Sequence, residues 1–170
     1  MGTDTRSVGP SDRGTDLEVR AGDPQLRSLH QLCDSLSQGS DRPVLIIGYG
    51  NPDRGDDAAG LRAACALRES GLAAEEFTGD GFALLERWSQ ADTVVVIDAV
   101  VTGAPRGTIT VWNVEECTPV PETITSTHGI GLGEAIRMAK ALGRLPRRLT
   151  VVGIEGRNFR SPRRPEAPET

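Results

Sequence analysis

Residues 44–60 read VLIIGYGNPDRGDDAAG, and this stretch decides the fold. Val44 to Ile47 is a continuous apolar run, the signature of a strand covered on both faces. Gly48-Tyr49-Gly50-Asn51-Pro52 breaks the run. A helix follows from Asp56 to Ser70, with Ala59, Ala63, Ala66 and Leu67 on one side and Gly71 ending it. A buried strand that passes through a glycine-rich turn into a helix begins an α/β unit, so the pattern beyond it decides the sheet.

Beyond it, Glu75–Thr78 reads as a weak strand, and Phe82, Leu85 and Trp88 mark a short helix. Thr93 to Ile97, TVVVI, is the strongest buried-strand signal, and Asp98 closes it. Gly107–Asn113 is another strand, and residues 114–127 form a long polar loop containing proline. Ile130–Leu142 is a helix with Leu132, Ala135, Ile136 and Ala139 inward, and Arg148–Ile154 is the last strand. The alternation predicts a three-layer α/β fold: a twisted, mostly parallel five-stranded sheet with helices on both faces. Only about nine residues separate Asp98 from Gly107. A parallel crossover needs a dozen or more, so 107–113 is expected to run antiparallel.

On the other side of the deciding stretch, residues 1–24 are nearly free of large apolar side chains and are expected to be disordered. Leu26, Leu29, Leu32, Cys33 and Leu36 then recur at helical spacing, predicting an amphipathic helix over 25–38 that starts near Pro24 and stops at Gly39. The tail from Gly156 carries Pro162, Pro165 and Pro168 and is expected to be unstructured. The chain thus divides into an extension over 1–42, an α/β body over 43–155 and a tail over 156–170.

The charge balance narrows the function. A formal net charge of -5 gives no basic field for nucleic acid. No apolar run approaches the roughly 20 residues of a membrane helix, and the N-terminus lacks the apolar segment of a secretory signal. Arg6 stands where a myristoylation signal needs Ser or Thr. Cys33, Cys65 and Cys117 are widely spaced and odd in number, which suits free thiols in a reducing cytoplasm. His30 lies in the amphipathic helix and reads as a surface or half-buried side chain.

In an open α/β sheet, ligands bind at the carboxyl ends of the strands. The loop 48–55 leads into a helix whose first turn carries Asp56 and Asp57, the central strand ends in Asp98, and His128 opens the helix before the last strand. Each has a plainer reading: Asp56 or Asp57 as helix N-terminal charge, Asp98 as a turn former, His128 as a structural or capping histidine. Together, two carboxylates and one imidazole make an N/O set for a divalent transition metal with positions left open for water or substrate. The helix N-terminus also favours neutral, metal-binding imidazole at His128. Other chemistries fall away. Asp53 stands where G-x-G-x-x-G needs its third glycine, and neither a P-loop lysine motif nor a G-x-S-x-G elbow is found. Ser126 near His128 lacks the context of an activated nucleophile.

The stretch from Ile47 to Gly60, IGYGNPDRGDDAAG, resembles the G-N-x-x-x-x-D-[DE]-x-x-G opening of the hydrogenase maturation proteases. Val95–Val100, Ser126–Leu132 and Val152–Glu155 resemble their later motifs in the right order, so the likeness covers roughly two-thirds of the chain. The resemblance implies a cytoplasmic endopeptidase that removes a C-terminal extension from the large-subunit precursor of a nickel–iron hydrogenase, with nickel in the precursor as the recognition signal. It places catalytic and metal contacts on Asp57, Asp98 and His128, and a further acidic position near Glu76. A non-catalytic checkpoint that binds the same precursor is the alternative. Three features depart from the family pattern, the first being some forty N-terminal residues that have no counterpart in its typical members. Ala58 replaces a frequent glycine, and the final strand runs into RNFRSPRRPEAPET where relatives continue into a closing helix. Covering of the exposed face or edge by the helix 25–38 is one expectation; marginal stability or a partner is the alternative.

Overall fold

The computed structural model describes residues 22–116 and 130–160. Helix α1 (Pro24–Gln38) is capped by Asp23, whose side chain accepts from the Gln25 N–H, with proline at its start. Strand β1 (Leu45–Tyr49) leads through a 3-10 turn (Gly55–Ala58) into α2 (Ala59–Glu69). Then come β2 (Ala74–Phe77), α3 (Gly81–Trp88), β3 (Thr93–Val100), β4 (Ile109–Asn113), α4 (Leu132–Ala141) and β5 (Arg148–Glu155). The sheet order is β2-β1-β3-β5-β4. All neighbours are parallel except β4, which runs antiparallel to β5 as the short connection requires.

Strand alternation explains why TVVVI reads as continuously apolar. Val94 and Val96 pack toward Trp88, Leu84, Leu132 and Ile136 of α3 and α4. Val95 and Ile97 pack toward Ala63, Leu67, Leu29 and Cys33 of α2 and α1. Both faces are apolar because each is covered by helices. Helix α1 therefore belongs to the core on the α2 side. The thiol of Cys33 is buried there and pushed up to about 12, which makes it inert.

Two expectations are corrected. Asp56 and Asp57 lie in the 3-10 turn, ahead of the α-helix rather than in its first turn. Asp98 does not close its strand: β3 runs on to Val100, because pairing with β5 continues through Asp98↔Gly153 to Val100↔Glu155. The tail also holds to the body at its start. The Gly156 N–H donates to the Val100 carbonyl at 2.9 Å, and the Arg157 and Asn158 N–H groups donate to Asp56.

The seam between β1 and α2 is unusually tight. A Cβ on Gly48 would lie 2.1 Å from the Gly60 carbonyl oxygen, and a Cβ on Gly60 would lie 2.2 Å from that of Ile97. These glycines are required by close approach rather than by backbone conformation. Gly60→Ala is expected to destabilise the protein by about 2 kcal/mol or more, despite alanine's better helix propensity, because the obstructing atoms are backbone. Urea unfolding measures the change; a variant at least as stable as wild type would contradict this packing.

Candidate active site

The chain enters the sheet at β1, moves left to β2, then returns to β3 on the right of β1. The connections diverge between β1 and β3, and at the carboxyl ends of such strands a crevice opens. The last residue pair of the β1–β3 ladder is Gly48↔Ile97, so Asp98 is the first β3 residue past it. A cleft of about 370 Å³ lies there. Tyr49, Gly50, Asn51, Arg54 and Asp57 line it from the β1 side, Thr78, Gly79 and Asp80 from the end of β2, and Asp98 and Ile130 complete it.

Local rules build this wall. Asn51 Oδ1 accepts from the Asp53 N–H at 2.9 Å, a side-chain-closed turn after β1. The Asp57 N–H then donates to the Arg54 carbonyl at 3.0 Å, starting the 3-10 turn. Gly50 lets that turn fold back, since a Cβ there would lie 2.0 Å from the Asp57 carbonyl oxygen. Asp80 caps α3 through the Ala83 N–H at 2.9 Å. The Gly81 N–H donates to the Ile130 carbonyl at 2.7 Å, joining the start of α3 to the approach of α4.

The cleft is acidic. Burial, and then the nearby Asp57 charge, raise the Asp98 carboxyl well above its usual range, against a 2.8 Å hydrogen bond from the Ala99 N–H. Asp57 is raised by burial, opposed by Arg54, whose guanidinium approaches it at 3.7 Å. Burial, then Asp98, Asp57 and Asp80, push the Tyr49 phenol up to about 12, so it stays protonated. Carboxylates held close together in a partly dry cleft favour a cation between them, and in donor type Asp57 and Asp98 fit a divalent metal. Among the described residues no three such side chains gather, and His128 lies outside the described residues.

Of the other expected positions, Asp56 faces away from the cleft. It is fully buried and paired with Arg106. Glu76 is also corrected: it is exposed on the edge strand β2, bound to Arg68 at 2.7 Å, and does not line the cleft. The acidic residue the β2 end contributes is Asp80. Tyr49, Asn51 and Arg54 were missed as site residues, although all three lie inside the motif quoted for the turn. Glu155 ends the last motif, and its carboxylate is buried beneath the β3–β4 connection. It accepts from the Thr102 N–H at 2.9 Å, the Thr102 hydroxyl at 2.7 Å and the Gly103 N–H at 3.0 Å.

Two outcomes follow from this electrostatics. A carboxyl raised in the folded state costs stability when ionised, and its stabilising contribution grows as pH falls through the folded value. Asn at position 98 mimics the protonated form. Asp98→Asn is therefore expected to raise the melting temperature of the metal-free protein at pH 7, by about 2–4 °C for each kcal/mol relieved. An unchanged or lower melting point would contradict the buried charge. Glu155 has the opposite sign. Burial pushes it up, but the Thr102 and Gly103 hydrogen bonds and Arg157 outweigh this and hold it below its ordinary value of 4.5. Its contribution is full above that value and lost as pH falls through the folded one. Glu155→Gln is expected to cost about 1–3 kcal/mol at pH 7, and the difference from wild type is expected to shrink below roughly pH 4.5. Urea titrations at several pH values measure it.

The model of the family described as hydrogenase maturation protease matches residues 77–161. The chain is 32% identical over 125 residues to the hydrogenase expression/formation protein HupD of Thiocapsa roseopersicina, covering 68% of this chain and 55% of that protein. It is 30% identical over 118 residues to the hydrogenase 2 maturation protease of Escherichia coli, covering 65% of this chain and 71% of that protein. The match thus spans little more than half of the first of these relatives. Among solved structures, the hydrogenase maturating endopeptidase HybD from Escherichia coli superposes with a TM-score of 0.54 at 26% identity, covering 69% of this chain and 76% of that one. The maturation protease HybD from Thermococcus kodakarensis gives 0.54 at 27%, over 69% and 82%. Motif order, sheet order and sequence agree, and the chain belongs to the hydrogenase maturation protease family.

Proposed function

We propose that this protein is a metal-dependent endopeptidase that removes a C-terminal extension from the nickel-loaded large-subunit precursor of a nickel–iron hydrogenase. The observation that carries the proposal is the meeting of Asp57 and Asp98 in one cleft at the point where the strand connections diverge. The printed names of the relatives, a maturation protease and a maturating endopeptidase, support the reaction class.

In this reading nickel arrives with the substrate. Asp57, Asp98 and His128 supply the protein's share of its contacts, and the metal supplies Lewis-acid polarisation of the scissile carbonyl. Without a cation, Arg54 offsets part of the Asp57 charge at 3.7 Å, a contact loose enough to yield to a better partner. The protonated Tyr49 phenol is a hydrogen-bond donor at the cleft wall. In this reading the partner is a protein precursor rather than nucleic acid or membrane. No helix among the described residues is long and apolar enough to cross a membrane. Free Cys33 and Cys65 fit a cytoplasmic site of action.

Intact-mass analysis of a nickel-loaded precursor tests the proposal. Wild-type protein is expected to release a C-terminal peptide only when nickel is present. Asp98→Asn and His128→Ala are each expected to slow release on the order of a hundredfold or more, as direct metal contacts outweigh supporting residues. Processing at the wild-type rate by either variant would overturn the site. A stable complex without mass loss would make the chain a non-catalytic checkpoint for the precursor.

A further inference from the structure

Asp56, next to the proposed metal contact Asp57, is held from several sides at once. Its Oδ2 accepts from Arg106 Nε at 3.0 Å and from the Arg157 and Asn158 N–H groups at 2.9 Å each. Its Oδ1 accepts from the Arg106 terminal nitrogen at 2.5 Å. Its own N–H donates to the Asn158 carbonyl at 2.7 Å. Gly55 makes that approach possible: it takes a positive φ of 55°, and a Cβ there would lie 2.4 Å from the same carbonyl oxygen.

One buried carboxylate thus ties together three segments at the site edge of the sheet: the 3-10 turn, the β3–β4 connection through Arg106, and the chain after β5. A planar guanidinium gripping both oxygens fixes orientation as well as distance. Successive side chains in a 3-10 turn diverge by about 120°. With Asp56 locked into the interior, Asp57 is turned toward the cleft, and its carbonyl is set against Gly50.

We infer that Asp56 and Arg106 are positioning residues, which aim Asp57 into the cleft from outside it. The inference rests on the reading of Asp57 as a metal contact. Calorimetric titration of the full chain with Ni2+ alone separates the two, each variant being read at a temperature where circular dichroism shows it folded. Asp57→Asn is expected to abolish or strongly weaken binding. Arg106→Gln is expected to weaken Ni2+ binding about tenfold in the folded protein. Arg106→Lys, which keeps the charge and loses the fork, is expected to fall between it and wild type. It carries the same test if Arg106→Gln does not fold. Arg106 variants that melt earlier yet bind Ni2+ with wild-type affinity when folded would reduce the ion pair to scaffold and overturn the inference. Asp57→Asn that binds as well as wild type would defeat the metal-contact reading, and the inference with it. If wild-type protein takes up no free Ni2+, the same comparison is made on nickel-loaded precursor, where processing by Arg106→Gln at the wild-type rate would overturn the inference and processing by Asp57→Asn at that rate would defeat the metal-contact reading.

Discussion

The architecture depends on how near α2 lies to the sheet. Gly60 sits against the carbonyl oxygens of both Tyr49 and Ile97, so the helix start rides over the seam between β1 and β3. Gly48 and Ala64 remove the bulk that would hold α2 off β1. That closeness leaves the connecting residues 50–58 no room to arch outward. They fold into a tight turn whose carboxylates fall beside the end of β3. Side-chain packing on both sheet faces then supplies the stability, but the seam decides where the acidic groups stand.

Those groups are held against their own electrostatic preference. Asp98 is buried near a second carboxylate, in a strand whose other residues are apolar but for Thr93 at its start. A chain selected for stability alone would place an apolar or amide side chain there. Asp56 and Glu155 show the contrast: equally buried, each is satisfied by several donors. Satisfied acids mark joints in the structure, and strained ones mark chemistry.

Much of this was legible beforehand. A continuous apolar run made β3 plain, and a connection of about nine residues was too short for a parallel β4. The carboxylates Asp57 and Asp98 could be placed at one sheet edge because topology alone brings strand ends together. Composition and spacing left open which member of the Asp56–Asp57 pair faces the cleft, and the family resemblance pointed to Asp57, which does line it. The answer lies with Arg106, fifty positions away in sequence, and with a 3-10 turn whose periodicity differs from the helix that follows. Glu76 was misplaced because strand alternation turns it toward Arg68, while the next acidic residue, Asp80, reaches the cleft from a helix cap. The end of β3 was drawn too early because Asp98 reads as a stop, whereas the β5 ladder carries the strand past it.

The connection between β3 and β4 is pinned twice, by Glu155 at Thr102 and Gly103 and by Asp56 at Arg106. A loop tied down at both points has little freedom left to surrender when something docks beside it, and little capacity to swing shut as a lid. Through Asp56 it braces from behind the turn that carries Asp57: for that turn recognition costs little conformational entropy, and the adjustment of shape falls to whatever enters the cleft.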